Sequence, residues 1–79
     1  MNISLAIKKS TKILKDKLIP NPELDSEILM AKTIQKDRKY VLLNFNKSLS
    51  KKDLNNFNSL IEKRSSHNPI AYLTKKKFF

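Results

Sequence analysis

Glu23, Asp25 and Glu27 place three carboxylates within five residues, the densest cluster in this sequence of groups that could ligate a metal or move a proton. Neither chemistry is completed around them. A metal site of this kind recruits His or Cys at defined spacing, but the sole histidine, His67, lies far downstream and there is no cysteine. The acids instead open a predicted helix that closes on Lys32 and Lys36, the order that complements the helix dipole, so a structural role is expected for them. His67, without a second ligand or a nucleophile, is expected at the polar surface or near a helix cap. Ser10, Ser59, Ser65 and Ser66 have no base at recognisable spacing, which leaves a serine hydrolase unsupported. Tyr72 could offer a functional hydroxyl, although the expectation is a ring packed against the domain with its hydroxyl on a polar partner. Lys75, Lys76 and Lys77 could steer an acidic partner or form a solvated linker.

The elements that carry these residues follow from hydrophobic periodicity. Ile3, Ile7, Leu14 and Leu18, with Ala6 and Ile13 beside them, mark one stripe of an amphipathic first helix whose remaining face is Lys8, Lys9, Lys12 and Lys15. Pro20 and Pro22 stop it near Ile19. Asn21-Pro22 reads as the N-cap and first position of a second helix, with Leu24, Ile28, Ala31 and Ile34 as its expected buried seam. Asp37 can cap a short third helix to about Leu43, with Tyr40, Val41 and Leu43 supplying apolar contacts before the polar loop Asn44 to Ser48. Ser50-Lys51-Lys52-Asp53 is a capping-box pattern with a hydrophobic staple of Leu49 and Leu54, and it opens a fourth helix lined by Leu54, Phe57, Leu60 and Ile61. Asn68-Pro69 starts a fifth. The sequence therefore predicts an all-α fold, a small five-helix bundle over residues 1–74, with 75–79 as the start of a linker.

Two patches carry a resemblance to a known family. The run Pro69-Ile70-Ala71-Tyr72-Leu73, five residues beyond Arg64, resembles the Arg-x-x-x-x-Pro-[Ile/Val]-Ala-Tyr-[Ile/Leu] segment of the HemK/PrmC release factor glutamine-N5 methyltransferases. Leu24-Asp25-Ser26-Glu27-Ile28-Leu29-Met30-Ala31 resembles their Leu-Asp-Ala-Glu-[Leu/Ile]-Leu-Leu-Ala helix. The family has Gly-Glu where this chain has His67-Asn68, Gly at Lys75, and Glu-Phe-Trp around Phe78 and Phe79. The resemblance covers nearly the whole chain but only the front part of the family's architecture. It implies a substrate-recognition domain that holds a peptide chain release factor so that the Gln of its Gly-Gly-Gln motif reaches a catalytic methyltransferase domain outside these residues. Tyr72, Lys75, Lys76, Lys77, Phe78 and Phe79 are then the candidate contacts to the partner or to that domain. S-adenosylmethionine would belong to the complete protein. The family's cofactor turn is Gly-rich, because only Gly lets the backbone approach the cofactor closely, and its Asn-Pro-Pro-Tyr loop orients the glutamine amide. This chain contains no Gly, and neither Asn21-Pro22-Glu23 nor Asn68-Pro69-Ile70 is that loop.

Charge supplies the rival reading. Seventeen Lys and Arg against seven Asp and Glu give a formal net charge of +10, which suits a free-standing helical module binding RNA or the ribosome through phosphates. Yet only Arg38 and Arg64 are arginines, and the interleaved aromatics of an RNA-reading face are missing, so a nucleic-acid partner is open but unspecific. Abundant Lys, Asn and Ile also reflect an A/T-rich coding bias. A helical interaction domain for some other partner is the third reading. No apolar run approaches the roughly 20 residues of a membrane span, and the N-terminus has its apolar stretch before its charges, the reverse of a signal peptide; a cytoplasmic location is expected. Calorimetric titration of S-adenosylmethionine into the 79-residue chain is expected to show no binding, and micromolar affinity would overturn the reading of a domain without a cofactor site.

Overall fold

The computed structural model describes residues 1–74 and folds them into α1 Ile3–Asp16, α2 Pro22–Ile34, α3 Arg38–Leu43, α4 Lys51–Ser65 and α5 Ile70–Thr74. The expected all-α bundle forms, and the proposed linker at 75–79 lies outside the described residues. α2 is the hub, packing against each of the other four helices. That position explains why the expected α2 seam holds only for Ala31, in the core, and Ile34, packed against it. Leu24 is 39% exposed, and Ile28 and Ile34 are only partly buried, whereas Asp25, Ser26, Glu27, Leu29, Met30 and Ala31 are buried. A helix surrounded by neighbours buries more than one face, so a single apolar stripe does not describe it.

Around α2 the core is Ile3, Ala6, Ile7 and Leu14 of α1, Ile19 of the connection, Val41 of α3, Phe57 and Ile61 of α4 and Leu73 of α5, with Leu49, Leu54 and Leu60 packed against it. The α4 face is the one expected, and its cap is as read: the Asp53 N–H donates to Ser50 Oγ at 3.0 Å. Asp37 likewise caps α3 by accepting from the Tyr40 N–H at 2.8 Å. Leu43, expected to pack, is 73% exposed, because a six-residue helix turns only Val41 fully inward. Asn21 holds the N-cap position of α2 without a side-chain bond.

The N-terminus is pinned by a loop. Ile3 N–H donates to the Lys47 carbonyl at 3.0 Å, Ser4 N–H to the Phe45 carbonyl at 2.9 Å and Leu49 N–H to the Met1 carbonyl at 3.0 Å, while Asn2 Oδ1 accepts from the Leu5 N–H at 2.8 Å. The first-turn donors of α1, which have no partner inside a helix, are thus satisfied by the 44–49 segment. The lone antiparallel bridge Asn2–Ser48 belongs to this contact.

Three helices end in the same way without a glycine. After α1, Leu18 sits at φ 62°, with Leu18 N–H bonded to Lys15 O and Ile19 N–H to Leu14 O. This is the Schellman pattern, completed by the buried pair Leu14 and Ile19. Gln35 at φ 59° and His67 at φ 69° end α2 and α4 with equivalent bonds, Lys36 N–H to Ala31 O and Asn68 N–H to Lys63 O. Leu18 therefore leaves the α1 stripe and is 84% exposed, and Ile19 takes the place in the core. Left-handed geometry costs a residue with a Cβ about 1–2 kcal/mol, part of which Gly returns as chain entropy. Leu18→Gly is accordingly expected to stabilise the domain by about 0.5–1 kcal/mol in denaturant melts, whereas Phe57→Ala should destabilise it by about 3–5 kcal/mol. A loss of stability in Leu18→Gly would show that its side chain packs.

Candidate partner surface and its anchor

The two sequence patches singled out above meet in space. Arg64, at the end of α4, places Nε 2.8 Å from Asp25 Oδ2 in the first turn of α2, and its Nη1 donates to the Asn68 carbonyl at 2.8 Å. Both side chains of the pair are largely removed from solvent, at 15% and 7% exposure. A guanidinium can serve a carboxylate and a carbonyl in different directions, which an ammonium on a flexible stem does less well. Asn68 completes the turn by donating from Nδ2 to the Lys63 carbonyl at 2.9 Å. Its side chain thus helps to close α4. The turn sends the chain into α5, which packs on α2 and α4 through buried Leu73. Arg64 is therefore the anchor of the turn into α5.

A parallel pair joins α2 to α3: Arg38 Nε donates to Glu27 Oε1 at 2.9 Å, with Glu27 buried and Arg38 half exposed. Between α1 and α2, Thr11 Oγ1 donates to the fully buried Ser26 Oγ at 3.3 Å. Asp25 and Glu27 of α2 act through the two arginines and not through the helix dipole alone, while Glu23 is exposed. Sequence reasoning missed these partners. The available signal was that fifteen of the seventeen cations are Lys and the two exceptions, Arg38 and Arg64, follow a helix bearing three acids.

Tyr72 is 63% exposed, which corrects the expectation of a core ring. On a five-residue helix held by one face, Leu73 turns inward and its neighbour turns out. Lys75, Lys76, Lys77, Phe78 and Phe79 lie outside the described residues. His67 is exposed at the end of α4, as expected. Among the described residues no group of three His, Cys, Asp or Glu could hold a metal ion, and no helix is long and apolar enough to cross a membrane. One surface depression of about 250 Å³ is lined in part by Ala6, half-exposed Ile13 and Leu54, and another of about 330 Å³ in part by Lys32 and Leu60.

The profile of the PrmC N-terminal domain family matches residues 6–74, up to the end of α5. The chain belongs to the PrmC N-terminal domain family. It is 37% identical to a release factor glutamine methyltransferase of Leptospira interrogans over 99% of this chain and 27% of that protein. A release factor glutamine methyltransferase of Aliivibrio fischeri is 33% identical over 92% of this chain and 26% of that protein. A bifunctional methyltransferase of Rickettsia typhi is 38% identical over 73% of this chain and 11% of its own length. The chain thus spans about a quarter of the release factor methyltransferases it matches. No solved structure matches it significantly. His67, at the position where the resembled segment has Gly, takes φ 69°, in the left-handed region that favours glycine.

Removing either half of a buried ion pair leaves the other charge uncompensated, which costs about 3–5 kcal/mol. Arg64→Ala and Asp25→Ala are each expected to fall in that range by chemical denaturation. Tyr72→Ala should change stability by less than about 0.5 kcal/mol, and a loss comparable to Arg64→Ala would mean that the ring is part of the core.

Proposed function

We propose that this domain holds a peptide chain release factor and orients it for methylation of the Gln of its Gly-Gly-Gln motif by a methyltransferase domain that these residues do not include. The observation that carries the reading is the family match over residues 6–74, in a chain that corresponds to about a quarter of each release factor methyltransferase. The physical contribution of such a domain is positional. Fixing a protein substrate before reaction removes translational and rotational freedom from the barrier. A rigid helical bundle with an anchored exit turn supports that task, because the direction in which α5 leaves is set by Arg64, Asp25 and Asn68 together. Tyr72 and residues 75–79 would then serve the contact with the catalytic domain or the partner. S-adenosylmethionine would be bound by the complete protein.

The arginines bear on the rival reading. Bidentate phosphate contact and stacking are arginine functions, and both arginines of this chain are bonded to buried acids of α2. The outer surface carries lysines, which supply point charges without sequence or shape recognition. Titration of a purified bacterial release factor into the chain, at low and at raised salt, tests the proposal. A saturable complex that weakens by no more than about tenfold is expected, whereas phosphate-driven RNA binding would fall by roughly 10³-fold or more between about 50 and about 200 mM salt. Tighter binding of an RNA oligonucleotide than of the release factor would reverse the assignment.

A further inference from the structure

We propose that the end of the domain remote from α5, centred on Leu43, is the docking surface for an apolar segment of the protein partner that is flanked by carboxylates. This inference rests on the reading of the domain as one that holds a release factor, and it names the face that does so. Leu5, Leu42, Leu43 and Phe45 are 46%, 40%, 73% and 38% exposed. The backbone brings them to one end of the molecule. Leu42 and Leu43 form the last turn of α3, Phe45 follows two residues later, and the Phe45 carbonyl accepts from Ser4, the neighbour of Leu5, at 2.9 Å. Asp25, Arg64 and α5 lie at the opposite end, beside the α1–α2 turn. α1 has 14 residues, so the two ends are about 20 Å apart at a rise of about 1.5 Å per residue.

Four large apolar side chains that share one end of a small domain mark an interaction site more than scattered single ones do. The surrounding charge says what the occupant is. Lys8, Lys39 and Lys47 are exposed around the patch and form no ion pair among the described residues, while the nearby Asp37 carboxylate is engaged in capping α3. Aliphatic side chains offer nothing to a phosphate backbone, which turns the surface toward protein. A second copy of this chain would set the same lysines against one another at a net charge of +10 each, a repulsive arrangement. A segment that presents apolar residues beside Asp or Glu satisfies both the leucines and the lysines.

Leu43→Ser and Lys39→Glu test the surface, with Leu18→Ser, 84% exposed at the other end, as the control. All three positions are exposed, so circular dichroism melts should match the parent. Calorimetric titration with a purified bacterial release factor is expected to show each of the first two variants weakened at least about tenfold, a loss of about 1.4 kcal/mol, and Leu18→Ser unchanged. If the parent binds and Leu43→Ser and Lys39→Glu bind equally well, the docking surface is wrong while the release factor reading stands. Failure of the parent itself to bind overturns that reading and this one with it. Sedimentation showing a parent dimer that Leu43→Ser disperses would make the patch a self-contact and also overturn the proposal.

Discussion

Asp25 can be buried only because Arg64 is there. The carboxylate sits in the first turn of α2, the helix that every other helix touches, and at 5% exposure it has lost nearly all its water. Desolvating a lone carboxylate is unfavourable by several kcal/mol, and an opposite charge with good geometry offsets this. Arg64 supplies that geometry from the far end of α4, thirty-nine residues away in sequence, and with its remaining donors it fixes the Asn68 carbonyl. One side chain therefore joins the start of α2, the end of α4 and the turn into α5. Such a pair adds less net stability than an apolar contact of equal volume would. It restricts the alternatives, since a slip of α4 along α2 would strand a buried charge. The mutual placement of the two helices is thereby tied to the turn that leads into α5.

Helix starts were legible in this sequence, as was the end of α3 at Leu43, but the left-handed turns that close α1, α2 and α4 were not, and the reason is local. Starts depend on side chains with a distinctive chemistry, so Asp37 and Ser50 announced α3 and α4, and Pro22 set the first position of α2. Ends depend on a backbone conformation that Gly or Asn usually marks. Here Leu18, Gln35 and His67 take the left-handed region in a chain with no glycine. Reading Leu18 as the last member of the α1 stripe was the natural error, because the stripe continues in sequence after the helix has turned. The α2 seam held only in part, for a different reason. Periodicity detects apolar residues, and half of what α2 buries is Asp25, Ser26 and Glu27, polar groups made compatible with the interior by partners on other helices.

Of the candidate site, the sequence carried the two patches but not the bond between them. Arg64 and Asp25 each belong to a segment that resembles the family, and only the three-dimensional structure shows that they are partners. The same applies to the pinned N-terminus, where main-chain bonds from Ile3 and Ser4 to residues 45 and 47 have no side-chain signature. Tyr72 was misjudged because aromatic residues near the end of a small domain are usually core. On a helix of five residues with one packed face, adjacent positions point about 100° apart, and Leu73 already occupies the inward one.

The division of labour between the two cations follows from their hydration. Arginine is more weakly hydrated than lysine and presents a planar array of donors, so it tolerates the interior, where Arg64 is 15% exposed beside its acid. Lysine holds its water and stays outside, where it provides a charge field of one sign without orienting a ligand. A surface of that kind attracts acidic partners from a distance but does little to choose among them or to fix their register. Selection must then come from shape and apolar contact. In this domain the exposed apolar side chains are gathered chiefly at the two ends of α1, Leu5 with Leu42, Leu43 and Phe45 at one, and Leu18 with Leu24 at the other. The Arg64 anchor and the turn into α5 occupy the second of these ends, so a contact at the first would leave them undisturbed.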